Sequence, residues 1–316
     1  MGTDRMSDFA DLTALAAREL LASGALSAVD LTRACLQRIA AREPVVQAWN
    51  CIDEDLALTR AGTLDRYRQT GGALGPLHGL PVGIKDIMDT GDLPTENGTR
   101  MDAGRRPADD AWLVARLRAA GAVIPGKTVT TECAYLAPAK THNPHNPEHT
   151  PGGSSSGSAA AVACGMVPFA VGTQTGGSVI RPASYCGVVG FKPTFGLIPR
   201  TGVLRTSRHL DTVGTFARTI EDAALLADAL AGQDPADPDT VPILIERPYA
   251  SEGRWIVYSV GESVVVETDR ERVLALIAAP WSVAESAGAS PELIDEMKAR
   301  IYVTDWQGMR WGGGGE

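Results

Sequence analysis

Two hydrophobic spacings alternate along the chain. Apolar residues three and four positions apart predict amphipathic helices, and the second of these begins with a capping-box-like Ser27-Ala-Val-Asp30. Helices are expected at Leu12–Leu21, Ser27–Ala41, a polar stretch ending near Arg68, Ala111–Ala119 and Ser155–Cys164. Short β-branched runs predict buried strands at Val45–Ile52, Leu80–Lys85, Ala122–Ile124, Met166–Gly172 and Gly187–Phe191. Strands that alternate with helices predict an α/β fold, in which helices cover both faces of a sheet.

The C-terminal part of the chain follows a different pattern. The stretch Gly232–Pro242 is rich in Pro and Asp, which predicts a linker or an exposed loop. Beyond it we expect a strand pair at Trp255–Glu267, helices at Glu271–Ala279 and Pro291–Ile301, and a flexible end at Trp311–Glu316. The sequence therefore predicts a domain over residues 1–241 and a separate segment over 242–316.

Composition and charge narrow the class of partner. Hydrophobic residues make up 44% of the 316 residues and charged residues 21%, which is typical of globular proteins. The net charge of -9 argues against nucleic-acid binding, because phosphate recognition needs clustered Lys and Arg. We therefore expect a small-molecule partner.

The spacing of the cysteines and the length of the apolar runs indicate the cellular compartment of the protein. The five cysteines are widely spaced and form no C-x-x-C pair, which is typical of thiols in a reducing compartment. No stretch approaches the roughly 18 unbroken apolar residues of a membrane span, and the first residues contain no apolar run of the signal-peptide kind. We expect a cytoplasmic protein with no membrane association.

Two loops rich in glycine and serine carry the candidate chemistry. The first is Thr150–Ser158 and the second is Gly172–Pro182. A flexible linker and a phosphate-binding loop are the alternatives, but the first loop runs directly into an apolar helix and neither loop fits a phosphate motif. In the second loop, successive backbone N–H groups precede Ser178, an arrangement that can build an oxyanion hole next to a nucleophile.

Lys85 is the best candidate for a base that activates the serine. It ends an apolar strand, where burial would lower its pKa and leave part of the population neutral. The alternative is an ordinary surface lysine whose stem packs on the sheet. The histidines are poorer candidates, because His142, His145 and His149 lie in a loop interrupted by prolines. The same prolines forbid the helix of a zinc site that uses these histidines with Glu148, so no metal and no cofactor are expected.

Four motifs in the same order resemble the amidase signature family. They are Gly79-Leu-Pro-Val-Gly-Ile-Lys85-Asp, Thr150-Pro-Gly-Gly-Ser154-Ser, Gly172-Thr-Gln-Thr-Gly-Gly-Ser178 and Phe191-Lys-Pro-Thr194. Ser154 and Ser178 are 24 positions apart, which is the family's spacing. The resemblance extends from about Leu12 to Leu230 and is strongest over 79–202. It implies a mixed, largely parallel β-sheet covered by helices on both faces.

The resemblance also implies a Ser–cis-Ser–Lys triad. Ser178 would attack the amide carbonyl, Ser154 would relay the proton, and neutral Lys85 would act as the base. The peptide bond between Gly153 and Ser154 would be cis, and Ser155 would hydrogen-bond around the lysine.

The same resemblance assigns the stabilising groups. Backbone N–H groups of Thr175, Gly176, Gly177 and Ser178 would form the oxyanion hole of an acyl-enzyme mechanism. Position 174 is Gln where many relatives carry Asp. Arg181 would begin a helix, where its guanidinium either clamps a substrate carboxylate or ties the helix to nearby carbonyls.

Three functions stay open at this stage. The first is a hydrolase acting on a small, linear carboxamide, and the second is a component of an amidotransferase that delivers ammonia to a partner. The third is a catalytically silent, truncated homologue, because the chain is shorter than usual for the family. We also expect residues 242–316 to complete the sheet and pocket only in part, which favours either a homodimer or a monomer of low stability.

Overall fold

The computed structural model describes residues 9–240, which belong to one compact unit, Met1–Leu244. The α-helices in this part are α1 (Ala14–Ser23), α2 (Ala28–Val46), α3 (Glu54–Gln69), α4 (Trp112–Ala119), α5 (Ser156–Ala163), α6 (Ile180–Cys186) and α7 (Ile220–Leu230). The strands are β1 (Trp49–Ile52), β2 (Val82–Lys85), β3 (Gly126–Thr128), β4 (Phe169–Gln174), β5 (Val189–Phe191) and β6 (Thr212–Ala217). Two 3₁₀ turns lie at Arg100–Asp102 and Glu132–Ala134. The elements expected after Pro242 lie outside the described residues.

The strands form one sheet in the order β1-β3-β2-β4-β6-β5. β2 pairs in parallel with both β3 and β4, whereas β1–β3, β4–β6 and β5–β6 are antiparallel. The strands β2, β3, β4 and β5 therefore run in one direction, and β1 and β6 run in the other. This confirms the expected mixed, largely parallel sheet.

Helices cover both faces of the sheet, because neighbouring strand residues point to opposite sides. On one face, Val82 and Ile84 of β2 pack in a core that also contains buried residues of α1, α4 and α7. On the other face, Ala170 of β4 packs with buried residues of α5 and α6. No helix among residues 9–240 combines the length and apolar character needed to cross a membrane.

The helix boundaries follow their capping groups. The Ser27 hydroxyl accepts a hydrogen bond from the backbone N–H of Asp30 at 2.9 Å, which confirms the expected start of α2. The helix continues past the expected end at Ala41 to Val46 and includes Pro44. The Glu43 carboxylate accepts hydrogen bonds from two backbone N–H groups just beyond the helix, at Ala48 and Trp49, each at 2.9 Å. This local capping stabilises the end of a helix that the proline alone would have shortened.

All five expected strands begin further along the chain than the hydrophobic pattern predicts, and Val45 and Val46, which were expected to begin β1, belong to α2. The run Ala122–Ile124 contributes only an isolated bridge between Val123 and Pro81, and the strand is β3. β3 can approach β1 closely because Gly126 has no Cβ, which would collide with the Cys51 carbonyl. β4 begins three residues later than expected. The pattern predicts neither β6 nor α7.

Candidate active site

Lys85 lies at the carboxyl end of β2, beside the carboxyl end of the parallel strand β4. Its side chain is fully buried, and Nζ donates hydrogen bonds to Ser154 Oγ at 2.8 Å and to Thr173 Oγ1 at 2.9 Å. Burial lowers the pKa of Lys85 to about 7, although the negative charge of Asp211 opposes this shift. The amine is therefore neutral in a large fraction of molecules near neutral pH.

Ser154 lies in the loop before α5 and is also buried. The peptide bond between Gly153 and Ser154 is cis, as the resemblance implies. The backbone N–H of Thr131 donates to the Ser154 carbonyl at 3.1 Å, while Lys85 binds the hydroxyl. Hydrogen bonds thus hold both the backbone carbonyl and the hydroxyl of Ser154.

Ser155 contacts the lysine only through Thr173. Its hydroxyl lies 3.2 Å from the Thr173 carbonyl oxygen, to which it donates, and 3.3 Å from the Thr173 backbone N–H nitrogen, from which it accepts. Ser155 therefore hydrogen-bonds to the residue that binds Lys85, and Thr173 makes the direct contact with the amine. β4 passes close beneath Ser155, since a Cβ on Gly172 would lie 2.6 Å from the Ser155 hydroxyl oxygen.

Ser178 lies just before α6 and is half-buried. Its carbonyl oxygen accepts a hydrogen bond from the Ser155 backbone N–H at 3.3 Å, which joins the two loops. The Gln174 side-chain oxygen accepts from the backbone N–H groups of Val179 and Ile180 at 3.0 Å each, so it caps the start of α6. The neutral amide at position 174 thereby fixes the loop that carries Ser178.

Gly176 and Gly177 leave the second loop open. Neither residue has a left-handed φ, so backbone strain does not explain the glycines. A Cβ built on either glycine would meet no described atom within 4 Å. What the glycines provide is an uncovered backbone surface at the proposed oxyanion hole.

Thr175 is the first residue of this loop, and its hydroxyl contacts the side chains of Asp211 and Thr206. Its hydroxyl donates to Asp211 Oδ1 at 2.5 Å and lies 2.9 Å from the hydroxyl oxygen of Thr206. Thr173 lies inside the Gly172–Ser178 motif but is assigned no role there, whereas Asp211 lies outside all four motifs. Only proximity in the fold connects Asp211 with the loops of the site.

Arg181, His142 and His145 contact backbone carbonyl oxygens. The Arg181 guanidinium donates to the Gly153 carbonyl from Nε at 3.0 Å and from Nη2 at 2.7 Å. His142 Nδ1 lies 2.7 Å from the Pro147 carbonyl oxygen, and His145 Nε2 lies 2.8 Å from that of Cys186. Within residues 9–240, no group of three or more His, Cys, Asp or Glu side chains could hold a metal ion.

The chain matches a family model and several known proteins. The amidase family model matches residues 30–256. A glutamyl-tRNA(Gln) amidotransferase subunit of Chloroflexus aurantiacus is 45% identical over 244 residues, which cover 75% of this chain and 50% of that protein. The corresponding subunit of Chloroflexus aggregans is 37% identical over an alignment of 331 positions, which covers 97% of this chain and 68% of that protein.

Solved structures give the same result for the fold. The native peptide amidase of Stenotrophomonas maltophilia superimposes with a TM-score of 0.70 at 41% identity, covering 74% of this chain and 50% of that one. This chain spans about half the length of that enzyme and of the Chloroflexus aurantiacus protein. From the family match and these relatives, the chain belongs to the amidase signature family.

Proposed function

We propose that this protein hydrolyses a small, linear carboxamide to a carboxylate and ammonia or an amine. Ser178 Oγ attacks the carbonyl carbon, its proton passes to Ser154, and the Ser154 proton passes to neutral Lys85. The N–H groups from Thr175 to Ser178 bind the oxyanion. Protonated Lys85 then returns a proton through Ser154 to the leaving nitrogen. Water hydrolyses the acyl-serine by the same relay.

The observation that carries this proposal is the contact of Lys85 with Ser154. Lys85 is fully buried and its two hydrogen-bond partners are hydroxyl groups, so among residues 9–240 no carboxylate contacts the amine to hold it in the charged form. With its pKa lowered to about 7, the amine can accept a proton near neutral pH and give it back. These are the properties that the base of a serine hydrolase needs.

A second function is favoured by the names of the curated relatives. They are subunits of glutamyl-tRNA(Gln) amidotransferases, which suggests that this chain delivers ammonia to a partner protein. The peptide amidase among the solved structures favours a stand-alone hydrolase instead. A catalytically silent homologue is the third candidate.

We also propose a cytoplasmic location, a homodimer and no nucleic-acid or membrane partner. The location is supported by the five cysteines, all of which are free thiols. The homodimer is supported by the exposed apolar side chains of Ile180, Tyr185 and Leu210 on the described unit.

Ammonia release from a panel of amides tests these functions. A stand-alone hydrolase releases ammonia from at least one small amide without any added protein, and Ser178→Ala abolishes the release. An amidotransferase component releases ammonia from glutamine only when its partner proteins are added. A cooperative thermal transition with no turnover of any amide, with or without those partners, would support the silent homologue.

A further inference from the structure

Asp211 closes a loop that faces the candidate active site. It precedes β6 and is 7% exposed. Its carboxylate accepts hydrogen bonds from the backbone N–H groups of Thr206 and Ser207 at 2.7 and 2.8 Å, and from the Thr206 hydroxyl at 2.8 Å. The fourth hydrogen bond comes from the Thr175 hydroxyl at 2.5 Å. A carboxylate has about four acceptor positions, so Asp211 is fully used.

The bond to Thr175 differs from the other three. Thr206 and Ser207 lie within five residues of Asp211, so their bonds define a local turn, whereas Thr175 is 36 positions away along the chain. Thr175 is the first residue of the proposed oxyanion loop, and Gln174 caps the helix at the other end of that loop. Gly176 and Gly177 lie between Thr175 and the capped helix. No described atom packs against the side of either glycine where a Cβ would stand, so the loop is held mainly at its two ends.

We propose that Asp211 is a positioning residue of the amidase site, which fixes the Thr175 end of the oxyanion loop and keeps one negative charge near Lys85. This inference rests on the proposed function, because it assigns a role within the same reaction. Asp211 contacts neither the reacting serine nor the relay serine in the described hydrogen bonds. It acts through Thr175 by contact and on Lys85 through its electrostatic field.

The electrostatic effect of Asp211 is distinguishable from that of its neighbours. Asp211 is the charged group that raises the pKa of Lys85 against the effect of burial. The carboxylate that follows Lys85 in the chain, Asp86, is paired with Lys127 at 3.2 Å. Arg200 donates to the Asp211 carbonyl, and its own charge is paired with Asp237 and Asp239.

A small cleft brings these groups together. It is lined by Thr173, which binds Lys85, by Asp211 and Thr206, and by the exposed residue Arg205. Asp211 thus contacts the oxyanion loop through Thr175 and shares the cleft with Thr173, the residue that binds Lys85. Loss of the Asp211 charge should lower the pKa of Lys85, and loss of the Thr175 bond should loosen the loop.

Two variants separate these roles. Asp211→Asn removes the charge, and Thr175→Val removes the hydroxyl that binds Asp211 while the charge stays. Asp234→Asn is the matched control, because Asp234 is a buried carboxylate that accepts a local hydrogen bond from Ala236. The titration of Lys85 is followed by NMR of ¹³C-labelled lysine, a readout that does not require turnover. The rate is followed by ammonia release from an amide that the parent hydrolyses.

The expected pattern is specific. Asp211→Asn moves the Lys85 titration to lower pH, while Thr175→Val and Asp234→Asn leave it at the parental value. Both Asp211→Asn and Thr175→Val lower kcat by about tenfold or more with a smaller effect on KM, because a loosened oxyanion loop stabilises the transition state less. Asp234→Asn keeps the parental rate.

Other outcomes overturn the inference. An unchanged Lys85 titration in Asp211→Asn removes the electrostatic role, and a parental kcat in Thr175→Val removes the positioning role. If Asp211→Asn does not unfold cooperatively, the kcat of Thr175→Val decides alone. A parent that hydrolyses no amide contradicts the proposed function, and the NMR titration then still tests the effect of Asp211 on Lys85.

Discussion

Lys85 and Lys127 are buried lysines on the neighbouring strands β2 and β3. The amine of Lys127 contacts a carboxylate, whereas the amine of Lys85 contacts only hydroxyl groups among the described residues. Lys127 Nζ lies 3.2 Å from a carboxylate oxygen of Asp86 and donates to the Thr95 hydroxyl at 2.5 Å. Lys85 donates to two hydroxyl groups. Burial lowers the pKa of both amines, but in Lys127 the contact with Asp86 opposes that shift directly. Within residues 9–240, the two lysines therefore differ in whether a carboxylate contacts the buried amine, and this difference is the reason why Lys85 and not Lys127 is proposed as the base.

The largest expected effect is on the rate in Lys85→Met. Methionine fills a similar volume without an amine, so neither proton transfer can occur, and the rate should fall by about 10² to 10⁴-fold. The measurement is ammonia release by the variant and the parent under the same alkaline conditions. A cooperative thermal transition shows that the variant is folded. A variant that keeps most of the parental rate would assign the base to another group.

Lys127→Met should lower the free energy of unfolding, whereas the main effect of Lys85→Met should be on the rate of amide hydrolysis. It leaves the Asp86 carboxylate buried and without its cation, which costs about 3 to 5 kcal/mol of unfolding free energy. Urea denaturation of the two variants measures the difference. The double variant Asp86→Asn, Lys127→Met removes both charges and should recover most of the loss. No recovery would show that the pair contributes through packing and not through charge.

The pH dependence of the unfolding free energy should report the lowered pKa of Lys85. The folded-state pKa of Lys85, about 7, is lower than its unfolded value, so the unfolded chain binds more protons above pH 7. Stability therefore rises with pH in this window, and Lys85 contributes about 2 kcal/mol between about pH 7 and about pH 9. Urea denaturation of the parent and of Lys85→Met at both pH values isolates this contribution. An equal pH dependence in both proteins would contradict the lowered pKa.

The smallest expected effect belongs to Arg181→Lys. The guanidinium makes two hydrogen bonds with the Gly153 carbonyl, and lysine keeps the charge but can replace only one of them. We expect a loss of about tenfold in kcat/KM that is equal for a half-amide of a dicarboxylic acid and for a neutral amide of the same size. A rise in KM confined to the acidic amide would instead support a carboxylate clamp.

The sequence predicts the loops of the site better than their surroundings. Helices on both sheet faces follow from the alternating pattern, and the cis bond before Ser154 and the mixed sheet follow from the resemblance. Thr173 and Asp211 could not be predicted, because their roles depend on contacts across 88 and 36 positions. β6 is buried along its whole length, so it lacks the alternation of apolar and polar residues that signals a strand.

The direct test of the comparison is the titration of the two lysines in the parent protein. ¹³C-labelled lysine is followed by NMR, and the signals are assigned with Lys85→Met and the double variant Asp86→Asn, Lys127→Met. We expect Lys85 to lose its proton with a midpoint near pH 7, and we expect Lys127, whose ion pair with Asp86 opposes the effect of burial, to lose its proton at a higher pH than Lys85. A Lys85 that stays charged up to its ordinary pKa of about 10.4, or a Lys127 that loses its proton first, would contradict this expectation.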